Sequence, residues 1–155
     1  MTSSDGVIEI ERRIAARPET VFSYFTDPAR YRLWQGVDAE LDPRPGGTFR
    51  VAMTGQSGMV AQGEYVEIEP PNRLLLTWGW QPWDSQSDAY IPVGASTVEI
   101  TLVPDGEHTV VRVHHRGLAT GEACAFHEWG WGLTLDRLVV VASGGDPGPN
   151  PFAVV

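Results

Sequence analysis

Residues 120–143 read TGEACAFHEWGWGLTLDRLVVVAS, the longest span of the chain with a helical rhythm. Thr120 suits an N-cap, Glu122 falls in the first turn and Gly144 follows as a C-terminal stop. A helix from Glu122 to Ala142 would be about 30 Å long. At the helical period, His127, Gly130, Trp131, Thr134, Leu138 and Val141 share one face, with Leu135 and Ala142 at its edge and Asp136 opposite. That face is apolar but interrupted by polar and small residues. Such a helix either closes a core or roofs a ligand cavity.

The chain in front of this helix reads as strands with two short helical interruptions. Val7 to Ile14 alternates, with Ile8, Ile10 and Ile14 on one side and Glu9, Glu11 and Arg13 on the other. Arg12 breaks the apolar side; it lines an interior polar spot or reaches out at the sheet end. Pro18 opens a short helix with Val21, Phe22 and Phe25 as its stripe, and Asp27-Pro28 stops it and starts a second turn carrying Tyr31 and Trp34. Gly36 to Gly47 reads as loop. Thr48 to Met53 and Val60 to Ile68 form a hairpin around the GQSG turn at 55–58, with Gly63 marking a bulge or the close approach of another backbone. Pro70-Pro71-Asn72 is a sharp break, and Leu74 to Trp80 puts Leu74, Leu76, Trp78 and Trp80 in one register. Gln81 to Ala95, with Trp83 and Tyr90, reads as the rim or lid of any pocket. Val98, Ile100 and Leu102 mark the next strand, Asp105-Gly106 a hairpin turn, and Val111 to Arg116 the return. Residues 143–155 hold too much Gly and Pro for regular structure and form a tail, either docked by Phe152 or disordered. Hairpin-length connections require antiparallel pairing, and the terminal helix is the element long enough to cover one face of the sheet. The expected class is α+β: a curved antiparallel sheet wrapped around a long C-terminal helix, spanning residues 1–142.

Composition narrows function. The chain has 155 residues, 42% hydrophobic and 20% charged, with six Trp and a net charge of −9. All eleven basic residues are Arg. An acidic domain without a basic cluster argues against nucleic acid or an anionic membrane as partner. There is no secretory signal pattern and no apolar run of membrane-spanning length, so a soluble cytoplasmic protein is expected. The lone Cys124 excludes an internal disulfide.

Six pieces in order carry a family resemblance: P-E-T-V-F-x-Y-F-T-D-P at 18–28, W-x-G at 34–36, D-P-R-P-G-G-T-F-R at 42–50, E-P-P-N-R-L at 69–74 with Thr77-Trp78 following, H-R-G-L at 115–118, and H-x-x-G-W-x-x-x-L-x-R-L at 127–138. Over about residues 7–142 the chain resembles the homologues of the activator of heat shock protein 90 ATPase, in the START-like (SRPBCC) superfamily. The resemblance implies a helix-grip fold with an apolar cavity between sheet and terminal helix. It also implies kinship with binders of small apolar or aromatic molecules and, more widely, with polyketide cyclases and lipid carriers.

The candidate site follows from inward-facing residues. Phe22, Phe49, Trp78, Trp80 and Trp131 are expected to face inward; rings there either pack as core or wall a flat ligand. His115, in register with Val111 and Val113, and His127, on the sheet side of the helix, are candidate polar anchors together with Arg12. Either His could instead satisfy a backbone group, while His114 alternates outward. Gly130 beside Trp131 leaves room on the helix face. Cys124 lies three residues before His127, but no third residue orients such a pair, and it reads as a small buried side chain. His-Glu-Trp-Gly-Trp lacks the second His of a zinc motif, no other metal-ligand spacing occurs, and no Gly loop fit for phosphate precedes a helix. No metal or cofactor is therefore expected. The leading expectation is a non-catalytic binder of a small hydrophobic, aromatic or polyketide-like molecule, acting as a monomer or homodimer. The alternatives are a cyclase or dehydratase with His115 or His127 as general acid–base, and a co-chaperone-like protein-interaction module.

Overall fold

The computed structural model describes residues 6–53, 59–82 and 87–149. The GQSG turn, Trp83 and Phe152 lie outside these residues. The described chain runs through strand β1 (Val7–Ile14), helices α1 (Pro18–Thr26) and α2 (Pro28–Tyr31), strands β2 (Asp38–Leu41), β3 (Thr48–Ala52), β4 (Val60–Glu69), β5 (Arg73–Trp80), β6 (Ser96–Asp105) and β7 (His108–Arg116), and helix α3 (Gly121–Ala142). The strands form one antiparallel sheet in the order β1-β7-β6-β5-β4-β3-β2. Consecutive β1 and β2 thus sit at opposite edges, and α1 and α2 carry the chain between them. This is the helix-grip α+β architecture expected from the sequence.

Local chemistry fixes the boundaries. Asp105 pairs with His108 across a tight turn in which Gly106 takes a φ of +62°, a conformation that favours glycine. The Asp27 carboxylate caps α2 by accepting from the Ala29 N–H at 2.9 Å. The Thr120 hydroxyl accepts from the Ala123 N–H at 3.0 Å and starts α3. Leu135 and Leu138 of α3 are completely buried, and α3 leans most closely on edge strand β1. The gap between α3 and strands β3 to β5 is consequently wider, and large side chains occupy it.

One reading changes. Asp38–Leu41, expected to be loop, is an edge strand paired with β3. The alternation of Asp38, Ala39, Glu40 and Leu41 spans four residues between Gly- and Pro-containing flanks, too short a run to be recognised, and only Ala39 among them is buried. The segment after α3 is docked over its first residues: the Arg137 guanidinium donates to the carbonyls of Leu33 and Trp34, both at 3.3 Å, and to those of Pro147, Gly148 and Pro149 at 2.9–3.2 Å. Gly63 meets the second of its two expectations, the close approach of another backbone, while the bulge falls further along β4. A Cβ there would collide with the Thr77 carbonyl, and the pairing register slips between Tyr65 and Glu67.

Candidate functional site

Strand β5 turns Leu74, Leu76, Trp78 and Trp80 inward because alternate side chains share a face. Gly79 between the two tryptophans lacks a side chain for a physical reason: the Pro92 backbone passes so close that a Cβ would strike its carbonyl. Ile91 and Pro92, just ahead of the start of β6, lie beside Trp80, with the Trp80 N–H bonded to the Ile91 carbonyl at 2.9 Å. The described part of the 81–95 segment therefore holds the end of β5 in place, and the Tyr90 hydroxyl adds a 3.2 Å bond to the Trp80 carbonyl.

Opposite them, α3 presents His127 and Trp131, and β7 presents His115. The Trp80 indole N–H donates to His127 Nε2 at 3.0 Å, and His127 Nδ1–H donates to the Ala123 carbonyl at 2.7 Å. The Trp131 indole N–H donates to His115 Nδ1 at 3.1 Å, leaving His115 Nε2–H to donate to Ser96 Oγ at 2.8 Å, which in turn donates to the Trp78 carbonyl at 2.7 Å. Each imidazole is held in one neutral tautomer, because a proton on the accepting nitrogen would face an N–H donor. Burial lowers the His127 pKa to about 4, opposed by its bond to the Ala123 carbonyl. Burial pushes His115 well below the usual histidine value, with further lowering from neighbouring His127. Neither ring meets a charged partner among the described residues. Burial raises the Cys124 thiol, the opposite of what an activated nucleophile needs.

The rings pack largely on one another. Centroids lie 5.0 Å apart for Phe25 and Trp34, 4.8 Å for Trp34 and Tyr31, 5.8 Å for Tyr31 and Phe49, 5.6 Å for Phe49 and Trp78, and 5.2 Å for Trp78 and Trp131. The column continues through Trp80 and Phe126 to Trp129, which is 56% exposed. The broad hollow expected beneath α3 is therefore mostly occupied by these side chains. What persists is a narrow apolar cleft of about 40 Å³. That is room for a few waters and far below the roughly 300–1,000 Å³ of an ordinary small-molecule site. Met53 and Met59 border it from the β3–β4 hairpin, Trp78 and Trp80 from β5, and residues from Phe126 to Thr134 from α3. Gly130 lines it, and a Cβ added there would meet nothing within 4 Å.

Of the expected site residues, Trp78, Trp80, His127 and Trp131 converge on this cleft. His115 lies one layer deeper, behind Trp131, and Phe49 stands behind Trp78. Phe22 packs half-buried against the core on α1 and does not line the cleft. Arg12 is a correction: its guanidinium turns outward and pairs with Asp136 on α3 at 2.8 Å, so it is no polar anchor. Its long side chain reaches solvent-side charge at lower cost than burial would impose. Gln35, Met53, Met59, Phe126 and Trp129 escaped the sequence reading. Phe126, Trp129 and Gly130 follow a helical i, i+3, i+4 spacing that could have revealed the first two. Met53 shares the alternating register of Phe49 and Val51, which could have revealed it, whereas a single Gln in a loop and Met59 beside a turn give no such signal. Among the described residues no cluster of side chains suits a metal ion, and no helix is long and apolar enough to cross a membrane.

The sequence matches the family model described as Activator of Hsp90 ATPase homolog 1-like protein over residues 15–143. The structure is similar to the solution structure of an AHSA1-like protein of Rhizobium etli, at 42% identity and a TM-score of 0.71, covering 94% of this chain and 87% of that one. It is also similar to CalU16 of Micromonospora echinospora, at 28% identity and a TM-score of 0.68, covering 89% and 76%. An HSP90 activator of Plasmodium falciparum superposes with a TM-score of 0.67 at 26% identity, covering 87% and 94%. No curated protein matches the sequence.

Proposed function

The chain belongs to the Activator of Hsp90 ATPase homolog 1-like family, and from that membership we propose that it binds a small, flat, hydrophobic molecule in the cleft between α3 and strands β3 to β5. The observation that carries the reading is the cleft itself: rings on two sides, a glycine where the helix could hold a larger residue, and an exposed tryptophan at its mouth. A ligand the size of a fused ring system exceeds the free space, so the walls part to admit it. Met53 and Met59 suit that movement, because unbranched thioether side chains repack at low cost. Flat, rigid indole walls give large contact area with little entropy to lose.

An acid–base enzyme is less well supported. Both imidazoles have their nitrogens engaged, Arg12 is turned away, and no carboxylate lines the cleft. General acid–base catalysis needs a group whose proton can come and go near the working pH. A protein-interaction role has Trp129 as its one large exposed ring among the described residues, a small basis beside a whole cleft.

The test is calorimetric titration with a panel of flat bicyclic hydrocarbons and their derivatives, repeated on Gly130→Leu. Saturable binding to the native protein, weakened about tenfold or more by the leucine that fills the cleft, is the expected result. Absence of binding across the panel, or equal binding to the leucine variant, contradicts the proposal.

A further inference from the structure

Most polar atoms near the cleft are already paired, and the exceptions share one character. The Gln35 amide is 4% exposed and lines the cleft. Its Oε1 accepts from the Tyr31 hydroxyl. Burial raises the Tyr31 pKa, so this phenol keeps the proton it donates. One Gln35 Nε2–H donates to Thr134 Oγ1 at 3.1 Å, and the Thr134 hydroxyl donates onward to the Gly130 carbonyl at 3.0 Å. With the Thr134 proton committed to the Gly130 carbonyl, the amide is assigned with its nitrogen toward Thr134 and its oxygen toward Tyr31. An amide nitrogen has two N–H groups, and the second has no acceptor among the described residues. Trp78, also lining the cleft and 2% exposed, has an indole N–H with no hydrogen-bond partner among the described residues. A buried donor left unpaired is destabilising and uncommon.

The acceptor side of the ledger is different. Both His127 nitrogens are engaged, no carboxylate lines the cleft, and no lining side chain is charged. A ligand N–H or O–H would find no strong partner, and a ligand carboxylate or ammonium would be buried without a counter-charge. We infer that the cleft discriminates among flat apolar molecules in favour of uncharged ones carrying a carbonyl-type acceptor, with the spare N–H groups of Gln35 and Trp78 as the donors that receive it. This rests on the binding reading above and names the ligand class within it.

A matched set separates the two ideas: indane, 1-indanone and indane-1-carboxylate, titrated calorimetrically into the full chain. Indane and 1-indanone share ring and shape, and differ in a methylene against a carbonyl. The expected result is 1-indanone binding about tenfold tighter than indane, one neutral hydrogen bond's worth, with the carboxylate weakest. In Gln35→Met the 1-indanone affinity falls toward that of indane, and indane itself is unaffected. Equal affinities of indane and 1-indanone for the native protein overturn the inference and leave the binding reading standing. A ketone preference undiminished in Gln35→Met overturns the assignment of the donor. Failure of all three to bind removes both. Because Gln35→Met also strips partners from Tyr31 and Thr134, circular dichroism checks its fold. Trp78→Phe gives an independent arm, in which the ketone preference drops severalfold if the indole N–H contributes and the inference loses its second donor if it does not.

Discussion

The indole N–H groups of Trp80 and Trp131 decide the state of the two buried imidazoles. Sequence alternation and helical period were enough to turn Trp78, Trp80, Trp131, His115 and His127 inward, because those signals depend only on backbone geometry. They did not reveal that each histidine would take an indole hydrogen bond, since that depends on which rings end up adjacent across the sheet and helix. Nor did they decide whether Arg12 faces in or out, because a long cationic side chain satisfies either pattern and only the position of Asp136 settles it. The paired arrangement has a pH consequence. His127 titrates at about 4 when folded and near 6.5 when unfolded, so between those values the unfolded chain holds more protons. The His127 contribution to stability is therefore flat above about pH 6.5 and declines by roughly 3 kcal/mol as pH falls toward 4, with His115 acting in the same direction. Urea unfolding at a series of pH values should show this slope, and His127→Gln should flatten it. An unchanged slope in the variant would place the acid sensitivity elsewhere.

At the scale of elements, α3 carries a glycine where its own stability would favour another residue. Gly130 is mid-helix, and a Cβ there touches nothing within 4 Å. Gly130→Ala should raise stability by about 1 kcal/mol in denaturant unfolding, and a loss would mean the glycine is packed in a way the structure does not contain. Gly79 on β5 behaves oppositely. Its substitution by Ala forces the Pro92 backbone away and should cost about 2–4 kcal/mol, measured the same way. Thr120→Ala removes the cap of α3 and should cost about 1 kcal/mol. The boundaries of α3, α1 and the hairpins were readable in advance because caps, prolines and turn glycines are local signals. Strand β2 was not, because an edge strand of four residues owes its form to pairing with β3 and not to its own pattern.

For the whole molecule, the order of elements and the shortness of their connections determined the architecture, and the family match agrees with it. The interior was harder to foresee. A column of aromatic rings can either line a space or fill it, and the choice rests on the packing of each ring against the next, which no periodicity encodes. Here the rings fill most of the space, leaving about 40 Å³ open toward Trp129. Ligand binding in the cleft therefore requires walls that yield. The most direct measurement is a ¹⁵N–¹H spectrum of the tryptophan indole groups, assigned by Trp→Phe variants and followed during titration with 1-indanone. Saturable shifts at Trp78, Trp80, Trp129 and Trp131, with Trp34 held steady by its 2.9 Å bond to the Tyr24 carbonyl, are the predicted result. Signals that stay in place, or that drift together without saturation, would contradict it.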